Sequence, residues 1–171
     1  MLRDIALARS QGAHGIVTGT LTRDATIDAK NLRTLVSAAK ELPVTFHRSF
    51  DYTANSADAL EELIDAGVTR VLTSGGANTA LEGASRIAAL VRQGRGRIVV
   101  VAGGGVRESN VREVIALTGV DEVHARISSI VSGVAGSRLP KIKLRKRLPE
   151  DESAWEELDE QRMRDLVQEV G

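Results

Sequence analysis

Three glycines at near-equal intervals punctuate this chain: Gly12, Gly67 and Gly119, 55 and then 52 residues apart, each closing an amphipathic stretch and opening an apolar one. Glycine just past a helix adopts the left-handed conformation that ends it, and the β-branched residues that follow suit a strand. One more strand and helix fit inside each interval, so the repeating unit is about 27 residues. The pattern predicts strands near 15–19, 44–49, 70–74, 97–102 and 121–125, with helices near 3–11, 29–41, 56–66, 79–93 and 108–118. Start signals agree: Asp28 precedes one helical pattern, Asn55-Ser56 another, and Thr79 with Glu82 has the spacing of a capping box.

Strands alternating with helices of this length pair in parallel through right-handed crossovers, which makes the chain α/β. Two closures compete. An eight-stranded barrel takes about 200–250 residues, and only five strands are counted here. A doubly wound sheet suits the length, yet its glycine-rich phosphate loop is missing, because Gly19-Thr20-Leu21-Thr22 is not GxGxxG.

Composition narrows the function classes. With 42% hydrophobic and 27% charged residues, the chain is neither collagen-like nor disordered. Its 23 basic residues balance 23 acidic ones, so no overall field recruits nucleic acid or an anionic membrane. No apolar run reaches the roughly 20 residues of a membrane span, and Met1-Leu2-Arg3-Asp4 does not open a secretion signal, which points to the cytosol. Cysteine is absent, leaving His14, His47 and His124 as nitrogen ligands.

The end of the chain reads differently. Six positive charges lie between Arg138 and Arg147, and seven negative ones between Glu150 and Glu160. A capping-box spacing at Ser153 and Glu156, followed by Trp155, Leu158, Leu166, Val167 and Val170, predicts an amphipathic helix after a charged linker. The boundary is drawn at residues 137 and 138.

Ligands of parallel α/β folds sit outside the carboxyl ends of the strands, and four segments there carry chemistry. In Phe46-His47-Arg48-Ser49-Phe50-Asp51-Tyr52, alternation puts Phe46 and His47 on opposite faces, and in a barrel Phe46 turns toward the helices and His47 inward. His47 then suits proton transfer or ligation, Arg48 an anion clamp, and Asp51 the partner that orients either. A purely structural Arg48–Asp51 pair beside a core histidine is the competing reading. Thr73-Ser74-Gly75-Gly76 precedes a helix start, and Gly103-Gly104-Gly105 follows the strongest strand; both offer backbone amides to an anion or carboxylate, and turn flexibility explains either equally well. On the last strand Glu122, His124 and Arg126 share one face. An inward His124 needs a polar partner or a ligand, whereas an edge strand tolerates the pattern in solvent. No nucleophile–base signature is present, so the residues define a polar, anion-tolerant pocket and no reaction.

Taken in register, these segments resemble the CutC copper-homeostasis family. The likeness runs from Asp4 to His124 through Gly15-Ile16-Val17-Thr18-Gly19, Pro43-Val44-Thr45-Phe46-His47-Arg48 with Phe50-Asp51, Leu72-Thr73-Ser74-Gly75, Ala80-Leu81-Glu82-Gly83, Gly103-Gly104-Gly105-Val106 and Glu122-Val123-His124. The resemblance implies a TIM-type barrel, of which these five strands are similar to the fourth to eighth. It therefore implies a partial barrel with two open sheet edges, of which the tail helix would cover part of one and a second copy of the chain the other. It further implies copper as the associated metal, although Cu(I) prefers thiolate and thioether ligands and only Met1 and Met163 supply sulfur here. The metal ligands stay unassigned. The alternatives are an enzyme on a small phosphorylated or carboxylated metabolite, and a non-catalytic remnant. The chain departs from the family pattern at Ala25, where a turn glycine is usual, at Ala102, and at Ala125-Arg126.

Overall fold

The computed structural model describes residues 1–132 and 154–171. Its elements run α1 (Leu2–Ser10), β1 (Ile16–Thr18), α2 (Ala29–Ala39), β2 (Val44–Phe46), a 3-10 turn (Arg48–Tyr52), α3 (Ser56–Asp65), β3 (Arg70–Thr73), α4 (Ala84–Gly94), β4 (Val99–Gly103), α5 (Val111–Thr118), β5 (Glu122–His124), β6 (Ser128–Ser132), β7 (Ala154–Leu158) and α6 (Glu160–Val170). The five strand–helix units lie where the glycine spacing puts them. Gly12, Gly67 and Gly119 all have positive φ, as helix-terminating glycines require. Asp28 and Asn55 cap α2 and α3 by accepting from backbone N–H groups.

Strand order decides between the two closures. The parallel sheet reads β1-β2-β3-β4-β5, each strand beside its sequence neighbour. A doubly wound sheet reverses direction at a switch point, whereas a barrel adds strands around one arc. This sheet is therefore an open arc of a (β/α) barrel, with its helices on the convex side. The convex face carries Val44, Phe46, Val71 and Ala102, all buried in the main core or its neighbour cluster. Phe46 is fully covered and Phe50 nearly so, each contributing about 2–3 kcal/mol of apolar burial.

The concave face is left open. Val17 on the edge strand β1 is 66% exposed. Arg70 on β3 reaches Glu122 on β5 across this face, Nε to Oε2 at 3.0 Å, so Glu122 has its partner within the arc. Hydrogen bonding to Glu122 raises Arg70 above the ordinary guanidinium value.

Helix α4 begins at Ala84, five residues after the expected start. The Glu82 N–H does donate to Thr79 Oγ1, at 3.2 Å, but this turn leads into Gly83 instead of a helix. The C-terminal part differs more. Trp155 and Leu158 stand in a strand, β7, which pairs antiparallel with the unforeseen β6, with Val131 opposite Trp155. Only residues 160–170 form the helix, capped by Asp159. Helix α6 packs on the barrel through Leu166 and Met163, and Arg162 bonds Glu108 at 2.7 Å. The linker expected over 138–147 lies outside the described residues. Among the described residues no helix is long and apolar enough to cross a membrane.

Candidate functional site

An open depression of about 1000 Å³ lies at the carboxyl ends of the central strands, with His47, Arg48, Asp51 and Gly76 in its wall. Its geometry begins with chain direction at the end of β2. After Phe46 the strand gives way to the 3-10 turn, His47 capping it, which swings Arg48 and Asp51 to the same side. Arg48 Nε donates to Asp51 Oδ2 at 2.8 Å.

Asp51 is then enclosed by the next strand's loop. Thr73 Oγ1 donates to Oδ1, the Ser74 N–H lies 3.1 Å from both oxygens, and the Gly76 N–H donates to Oδ1 at 3.1 Å. Burial by itself raises the Asp51 carboxyl, but the donors from Thr73, Arg48, Ser74 and Gly76 outweigh it and hold the group below its ordinary value. The amides of Ser74 and Gly76 thus already serve an anion, and that anion is a side chain of the chain itself.

This arrangement fixes Arg48. Its Nη2 donates to Ser74 Oγ at 2.6 Å, and Ser74 Oγ donates in turn to the Ala77 carbonyl at 2.6 Å. The remaining Nη1 lies beside Gly104: a Cβ on that glycine would stand 3.0 Å from it. Gly104 has a φ of 106°, a conformation that favours glycine, and its carbonyl accepts from Ala80. Among the described residues, Nη1 donates to no protein acceptor.

His47 lines the same depression but does not bond Asp51. Its Nδ1 accepts the Ser49 N–H at 3.1 Å. The other expected residues spread outward from this centre. Gly75 is buried, and its N–H donates to Thr73 Oγ1 at 2.8 Å. Gly103 ends β4 against His124, and Gly105 packs over Thr79. His124 is exposed on the edge strand and stands outside the lining of the depression. His14 is exposed in the turn before β1.

Two residues the sequence reading left without a role shape the loop. Gly83 packs backbone to backbone on it, so that a Cβ there would stand 1.9 Å from the Ser74 carbonyl oxygen. Arg86, at the start of α4, donates to the Gly75 carbonyl at 3.0 Å. Gly83 enters the sequence only as the end of the Ala80-Leu81-Glu82-Gly83 segment, and no local pattern marks Arg86.

The donor set does not suit copper. The chain has no cysteine, and His14, His47 and His124 lie at separate corners of the arc. Met163 packs against the core, and Met1 begins α1. A soft metal needs convergent sulfur or imidazole ligands, and these residues do not converge. Among the described residues no group of three His, Cys, Asp or Glu side chains is placed to hold a metal ion.

Comparison with known proteins places this geometry in a lineage. A CutC protein of Treponema denticola is 47% identical over 124 residues, which cover 72% of this chain and 50% of that protein. One from Parabacteroides distasonis is 46% identical over 131 residues, covering 77% of this chain and 54% of that protein. The chain thus spans about half the length of the relatives it matches. Among solved structures, a CutC from Streptococcus agalactiae, provisionally described as a copper homeostasis protein, superposes with a TM-score of 0.68 at 31% identity, over 72% of this chain and 60% of that one. An aldolase, QR15, shares the fold alone, with a TM-score of 0.57 at 20% identity over 71% of this chain and 58% of that one. The sequence profile of the CutC family matches residues 1–129, from α1 into the start of β6, and the chain belongs to that family.

Proposed function

We propose that this chain serves copper homeostasis by carrying the ligand pocket of a CutC barrel, and that the pocket takes a small carboxylate or phosphate group instead of a copper ion held on its own side chains. The copper association comes from the description of the Streptococcus agalactiae relative. One observation carries the ligand class: Asp51 and Ser74 lock the Arg48 guanidinium in place, with Nη1 left at the side of Gly104. A guanidinium fixed by an internal carboxylate presents its remaining N–H groups in one direction, as an external oxyanion requires.

Thermal unfolding of the purified chain with added phosphate, malonate or Cu(I) tests the proposal. Phosphate or malonate raises the melting temperature of the wild type, and Arg48→Ala removes the rise. A rise with Cu(I) that Arg48→Ala leaves intact would overturn it.

A further inference from the structure

The anion reading of the pocket leaves His47 without a role. Its imidazole is gripped on two sides. Ser49 donates its backbone N–H to Nδ1 at 3.1 Å, and Gly19 closes on the ring so tightly that a Cβ there would stand 2.4 Å from Cε1 and 2.7 Å from Nδ1. A nitrogen that accepts a backbone N–H keeps its lone pair in that bond, so the proton of the neutral ring resides on Nε2. Turning the ring over would present a carbon to the Ser49 N–H and lose the bond. The tautomer is therefore set by the backbone, and the ring belongs to the wall of the depression that also holds Arg48.

A ring in this state is suited to one kind of partner. To ligate a metal through Nε2 it would have to move its proton to Nδ1, where the Ser49 N–H already points. To donate to an acceptor oxygen it needs no change at all. Asp51 is not that acceptor, since its oxygens are taken by Arg48, Thr73, Ser74 and Gly76.

We infer that His47 is a specificity residue of the pocket: its Nε2–H donates to an unprotonated oxygen of the carboxylate or phosphate group held by Arg48. Selection follows from the pair. A ligand presenting an acceptor oxygen gains a second donor, and a metal cation meets two N–H groups. This inference rests on the anion reading of Arg48 and adds to it a second contact and a tautomer.

The variant His47→Asn isolates the role, because asparagine at a cap position still accepts a backbone N–H while nothing takes the place of Nε2. Calorimetric titration with inorganic phosphate and with malonate is expected to show binding to the wild type, at least about tenfold weaker binding to His47→Asn at an unchanged melting temperature, and none to Arg48→Ala. Nitrogen-15 NMR of histidine-labelled wild-type chain is expected to show His47 protonated at Nε2 and bare at Nδ1. A proton on Nδ1, or wild-type affinity in His47→Asn, would overturn the inference while leaving the Arg48 reading intact. Absence of binding to the wild type would overturn both.

Discussion

Arg48 and Asp51 form an ion pair of unequal partners: Nε lies 2.8 Å from Oδ2, with the carboxylate 8% exposed and the guanidinium 42% exposed. The carboxylate is the organiser. Three groups from the β3 end donate to it, the Thr73 hydroxyl and the Ser74 and Gly76 amides, and Arg48 inherits its orientation from it.

Asp51→Ala is expected to cost about 2–4 kcal/mol, since it strands the Thr73, Ser74 and Gly76 donors together with the guanidinium. Arg48→Ala is expected to cost less, about 1 kcal/mol, because Arg48 is the more exposed partner and three donors still satisfy Asp51. Urea unfolding of both variants checks the order.

The pH dependence follows from the same carboxylate. Its folded value lies below the ordinary one, so the unfolded chain binds the proton first as pH falls. The contribution is complete above the ordinary carboxylate range and is lost as pH drops through the lower, folded value. The stability gap between wild type and Asp51→Asn should therefore hold constant from pH 7 to about 5 and narrow below about 4. Acid unfolding followed by circular dichroism reads the gap.

Gly83→Ala is expected to be among the most damaging small substitutions, at 3 kcal/mol or more by rough analogy with other severe core changes. Its Cβ would meet the Ser74 carbonyl oxygen at 1.9 Å, backbone against backbone, and nothing flexible is present to yield. Loss of both melting temperature and phosphate response is the expected result.

Ala25 has a φ of 56° in the turn that links β1 to α2. A left-handed residue with a Cβ costs roughly 1–2 kcal/mol, which glycine avoids at some expense in chain entropy. Ala25→Gly should stabilise the chain by about 0.5–1 kcal/mol in chemical denaturation.

Among the described residues no strand pairs with the outer side of β1 or β5, and the isolated chain is expected to self-associate through these edges. Sedimentation velocity should show mass rising with concentration. Val17→Lys, a charge placed on the exposed edge strand, should return the chain toward monomer.

How far the sequence carries is visible residue by residue. Gly12, Gly67 and Gly119 were legible because a helix end is a local event, and so were the caps at Asp28 and Asn55. Arg48 and Asp51, three residues apart in one turn, were legible as a pair. The enclosure of Asp51 by Thr73, Ser74 and Gly76 was not, since it depends on two strand ends meeting in space. The same holds for Gly83 and Arg86, whose contacts lie across the loop. Strand β7 was missed for a related reason: Trp155 and Leu158 are compatible with helical spacing, and only the distant partner Val131 decides the matter. Partner strands leave no local mark.

Arg48 Nη1 is the proposed seat of a small anion. Nitrogen-15 NMR of the wild-type chain titrated with inorganic phosphate tests this most directly. Saturable shifts confined to the Arg48 guanidinium, the Gly104 amide and the His47 ring would agree with it. A response only along residues 138–147, or shifts at Arg48 produced by Cu(I) and not by phosphate, would contradict it.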